Sequence, residues 1–255
     1  MRIKIQALKA GLAILLCIGA SGSNAEKLFE STIEGKSPAV ILITGCTGDV
    51  IYKGESHYQN KASQLAKAGY NAYIVDPVSQ RGLKTCAGKL LPSDAVGDVL
   101  EAIDTLKSHP KVDATNLFLL GTSFGGAVAI DTLGNSAAAE SLRGVILQYP
   151  SCTKNSPWTA AVPTIAFLAE DDNVVSVRDC KYLFGKVEEA GLPITYQVMS
   201  AAYHGFDDSR LPAETKYSLG TLGYQKEASE ESWKAIHAFL KEHAKNPSRL
   251  VPEPN

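Results

Sequence analysis

Short apolar runs and amphipathic segments alternate along most of the chain. The first run, residues 39–44, is an unbroken series of mostly β-branched residues and leucine, which is typical of a strand covered on both faces. Weak alternation over residues 27–36 indicates an edge strand ahead of it. The predicted strands that follow the edge strand are 39–44, 71–75, 117–121, 144–148, 163–168 and 194–199.

The segments between these runs carry apolar residues at helical spacing, and most of them end at glycine or proline. In one segment Val96, Val99 and Ile103 share a helical face behind Ser93, a residue type that favours the N-cap position. The predicted helices are 59–68, 93–109, 124–133, 179–190 and 229–244. A frayed tail is expected over residues 246–255, which contain three prolines.

This alternation predicts an α/β fold with right-handed crossovers and a mainly parallel, twisted sheet that carries helices on both faces. No repeat, linker or charge block divides residues 26–255, so we expect a single domain. About a dozen residues separate Tyr149 from the strand that begins at Pro163, too few for a large lid domain. Reacting groups in such folds lie on the loops beyond the carboxyl ends of the strands.

The composition is that of an ordinary soluble protein, with 45% hydrophobic residues, 20% charged residues and a formal charge of -2. This charge gives no electrostatic attraction to nucleic acid or to an acidic membrane surface, so neither is an expected partner.

The first 25 residues have a pattern of their own. Arg2, Lys4 and Lys9 precede the apolar run 10–20, and small or polar residues follow up to Ala25. This pattern predicts a secretory signal peptide over residues 1–25 and export to the periplasm or the medium. The apolar run is too short for a comfortable membrane span, so we expect no stable membrane insertion once the signal is removed.

Four cysteines remain after removal of the signal peptide: Cys46, Cys86, Cys152 and Cys180. An even number in an exported chain favours two disulfides, and three connectivities are compatible with the sequence. Four buried thiols are the alternative. The spacings lack the paired Cys-x-x-Cys pattern of a structural zinc site, so no metal is expected.

Gly121-Thr-Ser123-Phe-Gly125 lies between a predicted strand and a predicted helix. It matches Gly-x-Ser-x-Gly, the sharp turn that exposes a nucleophilic serine above a sheet. The segment has neither the Lys-Ser/Thr of a phosphate-binding loop nor the glycine spacing of a dinucleotide site. We therefore expect a nucleophile at Ser123 and no cofactor.

A serine nucleophile needs an imidazole base and a carboxylate that orients the imidazole. In hydrolases with this turn, the acid and then the histidine follow the serine along the chain. His204 follows the last predicted strand, and Asp172 follows the strand before it, with Asp171 as the alternative acid. The backbone amides of Phe124 and Cys46 are the expected oxyanion donors.

Together these features resemble the dienelactone hydrolase family of α/β-hydrolases over nearly the whole mature chain. The resembling segments are Thr44–Gly48, Ala68–Tyr70, Asp76-Pro77 with Arg81-Gly82 and Cys86, the serine turn, Tyr149–Cys152, Ala169–Asp172 with Cys180, and Tyr203–Phe206. Serine stands at the turn where the enzyme that names the family has cysteine, so the chain is similar to the serine branch. Thr44-Gly45 replaces the His-Gly that many members have.

The resemblance implies further roles for individual residues. It places the catalytic acid on Asp172, pairs Cys152 with Cys180, and suggests that Cys46 pairs with Cys86. Arg81 matches an arginine that faces a substrate carboxylate in the family. A salt bridge that braces its loop is the alternative role for Arg81.

The predicted function is that of an exported serine hydrolase that cleaves small carboxylic esters or lactones through an acyl-serine intermediate. A peptidase or polyester depolymerase would use the same three residues. A binding protein that keeps the fold without turnover is the alternative from another class. The sequence leaves the oligomeric state open.

Overall fold

The computed structural model describes residues 28–247. The predicted signal peptide, residues 1–25, lies outside the described residues, as does most of the predicted tail. Within residues 28–247 no helix is both long and apolar enough to cross a membrane.

The described residues form short and long strands and helices in regular succession. The strands are β1 (Leu28–Phe29), β2 (Ser37–Ile43), β3 (Ile51–Tyr52), β4 (Glu55–Ser56), β5 (Asn71–Val75), β6 (Val112–Thr122), β7 (Leu142–Gln148), β8 (Thr164–Ala169), β9 (Ile194–Met199), β10 (Thr215–Tyr217) and β11 (Gly220–Leu222). The helices are α1 (His57–Lys67), α2 (Pro77–Gln80), α3 (Val96–Ser108), α4 (Phe124–Thr132), α5 (Ser136–Ser141), α6 (Val177–Glu189) and α7 (Lys226–His243).

Seven of the strands form one sheet in the order β1-β5-β2-β6-β7-β8-β9. Every neighbouring pair is parallel except the short edge strand β1, which pairs antiparallel with β5. The predicted α/β-hydrolase fold with a mainly parallel sheet is therefore confirmed. No helix lies between β7 and β8, in agreement with the expected absence of a large lid there.

Apolar residues cover both faces of this sheet. Ile41 and Leu42 are adjacent in β2 and point to opposite faces, and both are fully buried. Helices α3, α4 and α6 pack on the face of Ile41, and α1 and α7 pack on the face of Leu42. Burial on both faces explains why the central strands are continuous apolar runs.

The predicted helix boundaries differ from the observed ones where short-range hydrogen bonds compete with the N-cap. Ser93 does not cap α3, because a 3₁₀ turn at Pro92–Ala95 precedes the helix and the Asp94 carboxylate accepts from the Leu91 amide at 3.0 Å. Helix α1 begins at His57 rather than 59, because Ser56 accepts from the amide of Gln59 at 3.0 Å.

Two antiparallel hairpins, β3–β4 and β10–β11, lie outside the main sheet. Their strands are only two or three residues long, too short for a periodic pattern. For that reason the sequence pattern does not predict them.

Two disulfides restrain the loops at the carboxyl edge of the sheet. Cys46, in the loop after β2, is bonded to Cys86. Cys152, in the loop after β7, is bonded to Cys180 in α6. Both pairings that the family resemblance suggested are thus present in the structure.

Candidate active site

Ser123 occupies the sharp turn between β6 and α4. Its backbone has φ of 54° and ψ of -118°, a conformation that L-residues rarely adopt and that lifts the side chain above the sheet. A Cβ atom at Gly121 would collide with the Gly125 carbonyl, and one at Gly125 would collide with the Ile43 carbonyl. The turn therefore requires glycine on both sides of the serine.

His204 lies within hydrogen-bonding distance of Ser123. The His204 Nε2 atom is 2.9 Å from the Ser123 Oγ atom. The loop that carries the histidine follows β9 and turns at Gly205, whose φ of 76° is in the left-handed region. The imidazole is largely buried, and its ring packs edge to face against Tyr149 with ring centroids 4.8 Å apart. Packing of this kind fixes the ring orientation.

Asp172 contacts the other side of the same imidazole. Its Oδ2 atom is 2.7 Å from His204 Nδ1, and its Oδ1 atom accepts from the amides of Val174 and Val175 at 2.9 and 3.0 Å. Because an ionised carboxylate can only accept, Nδ1 carries the proton and Nε2 is left to accept from Ser123. Asp171, the alternative acid, is exposed and directs no side-chain bond to the imidazole.

Cys46 lies in the loop after β2, and Phe124 is the first residue of α4 and follows Ser123 directly in the chain. Neither amide donates a hydrogen bond to any atom of residues 28–247. The Gly45 Cα region approaches Ser123 closely, since a Cβ placed on Gly45 would lie 3.6 Å from the Ser123 Cβ. Backbone amides without a partner are the groups that bind an oxyanion in serine hydrolases.

Tyr58 supports the loop that carries Cys46. The Gly45 amide donates to the Tyr58 hydroxyl at 2.6 Å, and that hydroxyl is 2.7 Å from the Thr122 hydroxyl oxygen. Burial raises the pKa of Tyr58 above its ordinary range, so the phenol stays protonated. These contacts support the loop in this chain, where Thr44-Gly45 replaces the more common His-Gly.

A cavity of about 450 Å³ opens beside Ser123 and His204. The loop at residues 45–48 lines one side of it. The two hairpins and the loop after His204 form much of the remaining lining, and the lining as a whole is mostly apolar. Its volume is within the range of small-molecule sites.

A buried polar cluster lies behind the wall of this cavity. The Asp207 carboxylate accepts from the Tyr149 hydroxyl at 2.7 Å and is 2.7 Å from Lys61 Nζ. Burial is the largest single influence and opposes the charge on Asp207, but the Lys61 ammonium and the hydrogen bonds from Lys61 and Tyr149 act together with the neighbouring His57 to hold the pKa of Asp207 at about 2. Because Tyr149 also packs on His204, this cluster supports the position of the His204 ring.

His57 belongs to the same cluster and also lines the cavity. Its ring nitrogens are each 3.6 Å from a carboxylate oxygen, of Asp207 on one side and of Asp208 on the other. Burial, and then the charge of Lys61, lower the pKa of His57 to about 4 in spite of these carboxylates. The imidazole is therefore neutral near neutral pH.

Arg81 does not line the cavity around Ser123. Its guanidinium binds both oxygens of Asp98, at 2.5 and 3.1 Å, and the carbonyls of Pro77 and Asp94. The proposed contact with a substrate carboxylate is thus replaced by the alternative, a salt bridge that braces the loop before α3. The guanidinium nitrogens already have hydrogen-bond acceptors there.

Sequence reasoning missed Tyr58, Tyr149 and the Asp207 cluster as parts of the site. Tyr149 stood in a segment that resembled the family, but its contacts with His204 and Asp207 depend on tertiary structure. Lys61 was a further signal, since a lysine on the buried face of a helix requires a partner.

A family model confirms what the geometry indicates. The model of the dienelactone hydrolase family matches residues 27–244. The chain belongs to the dienelactone hydrolase family. As a family member it is a serine hydrolase that acts on esters, as the sequence predicted. A comparison with curated proteins found no match.

Solved structures share the fold of this family member at low sequence identity. A dienelactone hydrolase-like promiscuous phosphotriesterase from metagenomic libraries is 19% identical, with a TM-score of 0.64 over 82% of this chain and 87% of the other. The structure named m3DLH is 20% identical, with a TM-score of 0.67 over 86% and 92%. Esterase 2 of Thermogutta terrifontis, phosphonylated by cyclosarin, is 16% identical, with a TM-score of 0.62 over 89% and 90%.

Proposed function

We propose that the protein is an exported serine hydrolase that cleaves small carboxylic esters or lactones through an acyl-enzyme on Ser123. The observation that carries this proposal is the unbroken series of hydrogen bonds from Asp172 through His204 to Ser123, which ends at the wall of the cavity. A catalytically silent binding protein has no need for this alignment.

The geometry supports the following acylation step. His204 Nε2 takes the proton of the Ser123 hydroxyl while Oγ bonds to the carbonyl carbon of the ester. The carbonyl electron pair moves to the oxygen, which accepts from the amides of Cys46 and Phe124. As the carbonyl reforms, the alkoxide leaves with the proton from His204.

Deacylation repeats these events with water. His204 accepts a proton from the water molecule, which attacks the acyl carbon, and returns a proton to Ser123 Oγ as the acid leaves. Asp172 stays ionised and stabilises the imidazolium in both steps. Removing one oxyanion donor typically costs roughly 10²–10³ in turnover, so the two amides account for a large share of the expected rate.

Labelling with a fluorophosphonate and hydrolysis of p-nitrophenyl acetate test this proposal. The wild type should react in both assays, and Ser123→Ala should lose both. Ser63→Ala, a serine in α1 outside the cavity, is the matched control and should behave as wild type. Hydrolysis that survives Ser123→Ala contradicts the assignment of the nucleophile. Absence of labelling and hydrolysis in oxidised wild type favours the binding protein.

Assays with peptide amides and polyester films under the same conditions distinguish an esterase for small molecules from a peptidase and from a polyester depolymerase. A peptidase or a polyester depolymerase would use the same three residues. We expect turnover of the small ester alone, because the cavity of about 450 Å³ is of the size that holds a small molecule.

We also propose that residues 1–25 direct export and are removed after Ala25. The basic start, the apolar run and the small residues before Glu26 support this. The two disulfides favour an oxidising compartment. Mass spectrometry of the protein purified from cell fractions tests the proposal. A mature chain that begins at Glu26 in the exported fraction is expected, and an intact Met1 in the reducing cytosol contradicts it.

A further inference from the structure

The charged groups that line the cavity already have partners within the protein. Arg210 binds both oxygens of Asp208, at 2.8 and 2.7 Å, and donates to the carbonyls of Val50 and Glu55 at 2.7 and 2.9 Å. The other basic residues of the lining are His57, which lies between two carboxylates and is neutral, and His204, which is paired with Asp172. The lining therefore offers no unpaired cation to a substrate carboxylate and no unpaired carboxylate to a cationic substrate.

Apolar side chains in and beside the two hairpins form part of the cavity lining. Val50 and Tyr52 belong to the β3–β4 side, and Tyr217, Leu219 and Leu222 belong to the β10–β11 side. We call these five residues the apolar rim. Arg210 fixes the β3–β4 side by its bonds to the carbonyls of that segment.

Several rim residues are strongly exposed although they are large and hydrophobic. Leu219 is 68% exposed, Val50 50% and Tyr217 48%. Other exposed large hydrophobic residues of the described chain, such as Leu91 and Tyr182, lie outside the cavity lining. Apolar side chains that cluster around a site and do not pack in the core mark a binding surface. The rim is continuous with the cavity that contains Ser123, so its occupant is part of the molecule that reacts there.

We propose that the apolar rim binds the unbranched hydrocarbon chain of an uncharged ester whose carbonyl carbon lies at Ser123. This inference rests on the proposed esterase function and names its substrate class. The chain runs from the serine between the two hairpins and displaces water from Val50, Tyr217 and Leu219. Esters whose chain ends in a carboxylate bind poorly, because the charge would enter the rim without a partner.

A series of p-nitrophenyl esters with the same leaving group tests the proposal. From acetate through butyrate and hexanoate to octanoate, kcat/KM should rise by about fourfold per methylene, the equivalent of about 0.8 kcal/mol for each buried CH₂. All esters are kept below their aggregation concentrations so that single molecules are measured. The hemisuccinate ester should react more slowly than the butyrate ester.

Substitutions in the rim identify the surface responsible. Leu219→Ser and Tyr217→Ser should flatten the dependence of kcat/KM on chain length and lower octanoate hydrolysis far more than acetate hydrolysis. Leu91→Ser is the matched control, because Leu91 is similarly exposed at 65% but lies outside the cavity. This variant should keep the wild-type dependence of kcat/KM on acyl-chain length. Circular dichroism confirms that each variant is folded.

Different experimental results would contradict the rim proposal and the proposed esterase function. The rim proposal alone is overturned if acetate hydrolysis requires Ser123 but kcat/KM does not depend on the acyl-chain length. A preference for the hemisuccinate ester over the butyrate ester also overturns the rim proposal alone. Titration calorimetry of Ser123→Ala with methyl hexanoate and methyl acetate tests the rim without turnover. Tighter binding of the hexanoate supports the rim and equal binding overturns it, even if wild type hydrolyses no ester.

Discussion

The backbone N–H of Gly45 donates to the buried hydroxyl of Tyr58 over 2.6 Å. The residue that follows Gly45 is Cys46, whose amide is an oxyanion donor in the proposed mechanism. Helix α1 thus supports the loop that carries Cys46. The same hydroxyl contacts Thr122 at the end of β6, so it joins the oxyanion loop to the strand that carries Ser123.

Replacing Tyr58 by phenylalanine should lower kcat about tenfold with little change in KM, because the Gly45 amide loses its acceptor and the Cys46 amide is less well positioned. The effect should be smaller than loss of a donor itself. Steady-state kinetics with p-nitrophenyl acetate measure it. Tyr70→Phe, a buried tyrosine of the same sheet face, is the control. An equal decrease of kcat in both variants would indicate a general packing effect.

Asp172 and Asp171 are adjacent, yet the consequences of changing them should differ by orders of magnitude. Asp172→Asn should lower kcat by about 10⁴, because an amide in place of the carboxylate favours the wrong tautomer of His204. Asp171→Asn should remain close to wild type, because its side chain is exposed. Kinetics of both variants check this. A comparable loss in Asp171→Asn would move the acid to that position.

The disulfide between Cys46 and Cys86 should matter for turnover as well as for stability. In the double variant Cys46→Ser/Cys86→Ser, the amide of residue 46 is retained but its loop is released, so kcat should fall about tenfold. Loss of the cross-link, which spans 40 residues, should also cost up to about 4 kcal/mol of stability.

Cys152→Ser/Cys180→Ser is the comparison for that experiment. This disulfide spans 28 residues, so its loss should destabilise the protein by a similar amount while kcat of the folded fraction is largely kept. Urea denaturation and kinetics at a temperature where both variants are folded separate the two effects. If both lose the same fraction of kcat, the Cys46–Cys86 bond has no special relation to the oxyanion loop.

His57 should make the folded state sensitive to mild acid. In the unfolded chain its imidazole binds a proton near pH 6.5, but in the folded protein its pKa is about 4. Between these values the unfolded state binds more protons, so stability falls as pH drops through this window, by up to about 3 kcal/mol. Asp207, with its pKa lowered from 3.8 to about 2, contributes stability that is present above its unfolded pKa and is lost progressively as the pH falls from there to about 2.

Urea denaturation at pH 7, 6 and 5 measures this dependence on His57. His57→Gln should be less sensitive to pH over that range, because the glutamine does not titrate, while its stability at pH 7 reflects only the changed packing. His109→Gln is the control, because His109 lies at the end of α3 and is not part of the cluster around Lys61 and Asp207. This variant should keep the wild-type dependence of stability on pH. An unchanged pH dependence in His57→Gln would contradict the assignment.

The sequence predicted the parts of the site whose chemistry depends on local pattern and chain order. Gly121 and Gly125 flank Ser123 because the turn leaves no space for a Cβ, and this requirement is visible in five consecutive residues. His204 and Asp172 were predicted because each follows a strand end in the order that the fold imposes. In the structure His204 contacts both Asp172 and Ser123.

The supporting residues could not be predicted because they act across long separations in the chain. Tyr58 and Thr122 are 64 residues apart, and Tyr149 and Asp207 are 58 apart. Neither pair leaves a periodic pattern. Arg81 was ambiguous for the same reason, since only the folded loop places Asp98 beside it. The hairpins were missed because strands of two or three residues carry too little pattern.

The positions of the two hairpins in the chain have a consequence for how this protein acquires new substrates. Hairpin β3–β4 is inserted between β2 and α1, and hairpin β10–β11 lies between the loop of His204 and α7. Neither contributes a strand to the main sheet. Changes in their length or composition can therefore reshape the walls of the cavity while Ser123 and its partners keep their places. Substrate range and reaction chemistry are, in this architecture, separately open to evolution.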